Sequence, residues 1–141
     1  MNSLTLQSAI REGASNKQER HYLDFIVSGQ SLLKILGIES YDVITPFGWG
    51  VDKEYERQLL KEITLRNKSS LETGRIMLYI CPECGDIDCG AITANIKDLG
   101  DKIVWKDFGY ETGYSGVTEE YSNIEPIEFD RQDYFKAFSK L

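Results

Sequence analysis

Ile76-Met77-Leu78-Tyr79-Ile80-Cys81-Pro82-Glu83-Cys84-Gly85-Asp86-Ile87-Asp88-Cys89-Gly90-Ala91-Ile92-Thr93-Ala94-Asn95-Ile96 decides the fold class, because two strand-like runs close around a turn that holds all three cysteines of the chain. The first run, Arg75 to Cys81, is apolar on both faces, the pattern of an interior strand covered on each side. The second, Ala91 to Lys97, sets Ile92, Ala94 and Ile96 against Ala91, Thr93 and Asn95. Asp98-Leu99-Gly100-Asp101 is a compact turn, and Ile103 to Phe108, with Trp105, supplies a third strand. Short connections between successive strands predict an antiparallel meander.

Outward from the meander, the N-terminus adds a hairpin. Leu4, Leu6 and Ile10 alternate with mostly polar residues, a turn covers Arg11 to Gln18, and Tyr22 to Val27 is dense in β-forming residues apart from Asp24. Ser28 is read as the cap of a short helix from Gly29 to Leu36, stopped by Gly37. After Pro46 comes Phe47-Gly48-Trp49-Gly50. This run reads either as an exposed aromatic contact surface, with Phe47 and Trp49 as partner-binding residues, or as a lid folded back on the core. Asp52 caps an amphipathic helix in which Val51, Tyr55, Leu59 and Ile63 recur every four residues. Gly109 to Asn123 lacks periodicity and reads as a loop. Pro126 to Phe129 is a short edge strand, and Asp130 caps a closing helix with Tyr134, Phe135 and Phe138 turned inward. The expected fold is α+β, one antiparallel sheet of five or six strands built from hairpin and meander, with about three helices packed on it, in a single domain over residues 1–141.

The 141 residues are 41% hydrophobic and 28% charged, with a formal net charge of −7. A chain of this length buries about two thirds of its unfolded surface, enough for a real core. The acidic balance argues against nucleic acid and anionic membranes, whose affinity comes from Lys and Arg. No run approaches a membrane span, and Met1 to Ser15 lacks the basic and apolar regions of a signal peptide. An odd number of cysteines without an export signal points to a reducing cytoplasm and against a disulfide framework.

Cys81-Pro82-Glu83-Cys84-Gly85 has the form of a zinc knuckle, in which two thiolates two residues apart grip one tetrahedral ion. Cys89 offers a third sulfur. The chain has no second knuckle, so a fourth ligand would come from His21, Asp86, Asp88, a water or another subunit. A dithiol redox role competes, although Glu83, Asp86 and Asp88 would raise a thiol pKa and no helix begins at Cys81. The third alternative is that these cysteines only shape a tight hairpin. His21, the one histidine, stands alone. There is no nucleophile elbow, phosphate loop or dinucleotide fingerprint. The pairs Asp86 with Asp88 and Glu119 with Glu120 lack calcium-loop spacing and read as solvated turns.

Taken together, Tyr79 to Thr93 and Val104-Trp105-Lys106-Asp107-Phe108 resemble a family of small uncharacterised bacterial proteins with a CPxCGDxxCGA core and a downstream VWxDF strand. Val27 to Leu32 and Phe129-Asp130 are similar as well. The resemblance implies a bacterial, cytoplasmic protein of one domain and transfers no catalytic residue. The sequence therefore leads to a non-enzymatic binding module with a protein partner, in the manner of immunity proteins or antitoxins. The alternative is a zinc-binding or thiol-redox protein centred on Cys81, Cys84 and Cys89.

Overall fold

Five consecutive apolar residues leave strand β4 (Ile76–Ile80) no polar face to turn to water, and all five are buried. The computed structural model describes residues 1–50, 52–114, 116–118 and 120–141. Val51, at the start of the four-residue repeat, and Glu119, of the paired glutamates, lie outside the described residues.

The α+β class and the antiparallel pairing stand, with three α-helices among the described residues. The strands divide between two sheets rather than forming one. The smaller sheet is the hairpin of β1 (Leu4–Arg11) and β2 (Arg20–Val27), extended by β3 (Gln30–Ser31). The larger runs β4, β5 (Ala91–Asp98), β6 (Lys102–Thr112) and β7 (Gly116–Thr118), while β8 (Ile127–Asp130) pairs with the first half of β6. Phe25 of β2 reaches across to Tyr79 and Trp105, its ring centroid 5.6 and 5.3 Å from theirs, so the sheets meet through aromatic edges. One hydrophobic cluster draws on both sheets and on helices α1 (Leu32–Leu36), α2 (Lys53–Ile63) and α3 (Arg131–Phe138). No helix among the described residues is long and apolar enough to cross a membrane.

Several local expectations change. Ser28 does not cap α1; with φ of 49° and 85°, Ser28 and Gly29 form the tight turn between β2 and β3. The cap is Ser31, whose hydroxyl accepts from the Leu33 amide at 3.2 Å. Ile10 lies near the loop end of the hairpin, opposite His21, and is exposed. Of the stretch read as a loop, Gly109 to Asn123, the first four residues continue β6 and Gly116–Thr118 is a return strand, β7, while 113–114 and 120–123 are turns. Position 109 of β6 requires glycine because a Cβ there would stand 2.7 Å from Val117 Cγ1 and 2.8 Å from the Thr118 carbonyl oxygen of β7. Its glycine marks close approach rather than a turn. Just before it the β5–β6 register shifts, and Asp107 takes a φ of 57° at the irregularity.

Candidate metal centre

The cysteine turn joins the end of β4 to the start of β5, and its shape is fixed by hydrogen bonds to its own backbone. The Gly85 amide donates to the Cys81 carbonyl at 2.9 Å, closing the knuckle, with Gly85 at a φ of 69°. Ile87–Cys89 forms a single 3-10 turn, with the Asp86 carboxylate accepting from the Asp88 amide at 3.0 Å. That turn carries Cys89 back to Cys84, and the two are joined by a disulfide. Cys81 is unbridged. The expectation that no disulfide would form is corrected here, because the 3-10 turn shortens the path that the sequence leaves open. The three sulfurs lie within 4.8 Å of one another, Cys84 and Cys89 exposed and Cys81 partly so. A tetrahedral zinc with bonds of about 2.3 Å sets its sulfurs about 3.8 Å apart. Here two of the sulfurs are bonded to each other and the third lies within 4.8 Å of both, so the pair must be reduced and part before three thiolates can surround an ion.

Neighbouring elements clamp the turn from three sides. From β2, Arg20 Nε donates to the Pro82 carbonyl at 2.9 Å, and its guanidinium lies 4.9 Å from the Trp49 ring centre. From α2, the Tyr55 hydroxyl donates to the Gly85 carbonyl at 2.7 Å. Desolvation, with the nearby Asp86 second, pushes that phenol up to about 12. From β6, the Tyr110 hydroxyl donates to the Cys89 carbonyl at 3.2 Å. Arg11 then bridges Glu83 at 2.9 Å and Asp42 at 2.8 Å. The hydrogen bond from Arg11 is the largest cause holding each carboxyl below its ordinary range. The negative charge expected beside the thiols at Glu83 is thus countered by a guanidinium.

The structure separates the other predicted site residues. His21 does not join the sulfurs; it sits exposed beside Glu19 at 3.0 Å. Neither Asp86 nor Asp88 completes a ligand set, and among the described residues no histidine or carboxylate joins the three sulfurs. Phe47 is 0% exposed and packs edge-on against Phe25 and Phe138, so its ring is a core residue and not a contact surface. Trp49 is half-buried, its indole N–H bonded to the Thr45 carbonyl at 2.7 Å. It lines a cleft of about 190 Å³ with Arg20, Tyr55, Ile80 and Cys84.

Sequence reading missed Arg11, Arg20, Tyr55 and Tyr110, whose partners are backbone carbonyls or distant side chains that leave no periodic trace. It also missed two buried polar groupings. The Asp24 carboxylate accepts from the Tyr79 and Ser31 hydroxyls, each at 2.6 Å. Arg75 donates to Thr93 Oγ1 at 2.8 Å, Thr93 donates to Glu111 at 3.0 Å, and Arg75 stands 3.5 Å from Glu111. Arg75 also donates to the Asp107 carbonyl, which the register irregularity turns toward it. A charged residue in a strand pattern signals such a grouping only when its partner is known. No model of a protein family, curated protein or solved structure matches the chain.

Proposed function

We propose that, when reduced, the turn at residues 81–90 is a metal-binding site in which Cys81, Cys84 and Cys89 supply three thiolates to a zinc ion. The observation that carries this is the convergence of three sulfurs within 4.8 Å on a turn whose backbone is held by other elements. Soft thiolates select zinc among the abundant divalent ions. A site with three protein ligands and solvent on its open side keeps a fourth position for water, a small ligand or a residue from a partner.

Metal analysis of the full chain, purified under reductant and supplied with zinc, should find about one ion per chain. Cys84→Ser should cut the zinc retained on dialysis at least tenfold, whereas His21→Ala should leave it unchanged. Less than about a tenth of an equivalent in the reduced wild-type chain removes the proposal.

A protein-interaction role, in the manner of an immunity protein or antitoxin, ranks second. It draws on the net charge of −7 and on Trp49 at the cleft, and it loses Phe47 to the core. Immobilised chain that recovers no partner from a bacterial lysate, with Trp49 intact, would leave it without support.

A further inference from the structure

We propose that Cys84 and Cys89 are a reversible oxidation site whose disulfide expels the metal, leaving Cys81 as the unoxidised third thiol. This rests on the reading of the turn as a thiolate metal site. Two chemistries compete for the same atoms: Cys84 and Cys89 are bonded to each other, and both belong to the cluster that would hold the ion. A disulfide sulfur carries no thiolate charge, and metal ligands must be thiolates. Oxidation therefore removes two of three ligands in one event.

The pairing follows from placement. Cys84 and Cys89 are exposed, within reach of a dissolved oxidant, while Cys81 follows directly on buried β4 and is partly covered. The fold tolerates both states because the four hydrogen bonds that clamp the turn end on backbone carbonyls and not on sulfur. Arg20 holds the Pro82 carbonyl, Tyr55 the Gly85 carbonyl, Tyr110 the Cys89 carbonyl and Gly85 the Cys81 carbonyl. The clamp persists while the sulfurs exchange one bond for another.

A hydroperoxide serves as the oxidant. One thiolate of the pair attacks a peroxide oxygen, the O–O bond breaks, and hydroxide or alkoxide leaves, giving a sulfenic acid. The second thiolate then displaces hydroxide from that sulfur, and the S–S bond forms. The sulfurs lose two electrons, the peroxide gains them, and two protons from solvent turn the two displaced anions into two waters, or into one water and one alcohol. An external dithiol reverses the step by thiol–disulfide exchange, returning both thiolates.

The test begins with the reduced full chain, whose zinc content is measured first. Excess hydrogen peroxide is added, released zinc is followed with a chromogenic chelator, thiols are titrated, and crosslinks are mapped by peptide mass spectrometry. Bound zinc should fall roughly tenfold or more. Titratable thiols should drop from three to one, Cys84–Cys89 should be the crosslink found, and dithiothreitol should restore thiols and zinc together. Cys81→Ser should still form the same disulfide, with its two remaining thiols lost on peroxide treatment. Zinc retained through the treatment, a disulfide that includes Cys81, or release accompanied only by sulfinic or sulfonic acid would overturn the proposal. Absence of zinc from the reduced chain at the outset removes the metal reading and the expulsion with it, and the thiol mapping then decides the pairing separately.

Discussion

Strand β4 has chemistry at both ends, and the ends are built oppositely. Before Ile76 stands Arg75, its side chain 9% exposed, matched to Glu111 at 5%, with Thr93 between them. After Ile80 come three cysteines, two of them exposed, whose sulfurs meet one another and, among the described residues, have no histidine or carboxylate joined to them. At the first end every charged group already has its partner inside the protein, so the arrangement can hold the sheet together but has little left for a ligand. At the second end the partners satisfy the backbone and leave the side chains available. Burial with complete pairing marks architecture, and exposure on a clamped backbone marks a site.

Breaking the buried end should produce the largest loss of stability. Glu111→Ala leaves the Arg75 guanidinium without its carboxylate, and an uncompensated buried charge costs about 3–5 kcal/mol. Burial lowers the Arg75 pKa first and foremost, against the pull of Glu111 and Asp107, yet an arginine does not discharge in the physiological range. Denaturant unfolding should register the loss, while reduced protein that remains folded should still bind zinc. A change under about 1 kcal/mol would mean that solvent already reaches Arg75 and that the two ends are less different than their burial suggests.

Gly90→Ala strikes the junction between the turn and β5. The backbone there has a φ of 91°, and an added Cβ would lie 1.9 Å from the Tyr110 hydroxyl. The strain should cost about 1–3 kcal/mol. Displacing Tyr110 also frees the Cys89 carbonyl, so zinc affinity should weaken about tenfold, as when an outer-shell partner is lost. Unchanged thermal stability together with unchanged zinc affinity would show that the clamp on Cys89 is not needed.

Much of the fold was legible because it rests on local pattern. The apolar run of β4, the alternation of β5 and the caps Asp52 and Asp130 follow from period and turn chemistry, and both caps accept an amide as expected. The division into two sheets was not legible, since it depends on Phe25 meeting Tyr79 and Trp105, residues remote in sequence. Gly109 misled because glycine signals a turn and a close approach alike. At the site, the cysteine spacing was visible from the start. The roles of Arg11, Arg20, Tyr55 and Tyr110 were not, because each reaches the turn from another element. Phe47 and Trp49, two residues apart, looked equivalent in sequence, and only the packing of Phe47 against Phe25 and Phe138 separates them.

Tyr55→Phe tests the clamp with a smaller change. Loss of its hydrogen bond to the Gly85 carbonyl should cost about 1 kcal/mol and loosen the knuckle between Cys81 and Cys84. The phenol also has a pH signature. Its pKa rises to about 12 in the folded chain, above an ordinary tyrosine near 10. A raised folded value means that this contribution is fully present below about pH 10 and is lost as pH climbs toward 12. Tyr121 is raised to about 12 as well, so the variant should show a shallower alkaline loss rather than none. An alkaline limb identical to that of the wild type would remove Tyr55 from the clamp.

The smallest effect belongs to Arg11, and it sharpens the contrast because it is an ion-pair group at the exposed end. Arg11 joins Asp42 at 2.8 Å and Glu83 at 2.9 Å and also donates to the Gln18 carbonyl at 2.6 Å. Both carboxylates are about half exposed, 46% and 48%, so solvent and salt screen the attraction. Arg11→Ala should cost less than about 1 kcal/mol at neutral pH, well below the loss expected from Glu111→Ala. The acid side carries the diagnostic sign. Both carboxyl pKa values are lowered by the hydrogen bond from Arg11, so their contribution is present above the ordinary carboxyl range near pH 4 and is lost as pH falls below it. In Arg11→Ala the two groups lose the largest cause of their lowering, and unfolding free energy should fall less steeply between neutral pH and acid than in the wild type. Added salt should narrow the difference between the two proteins, as it does for exposed pairs. An acid limb of equal slope in both would mean that Arg11 does not hold Glu83 below its ordinary range. The charge beside the cysteines would then be uncountered, and the exposed end of β4 would differ from the buried end in its acids as well as in its burial.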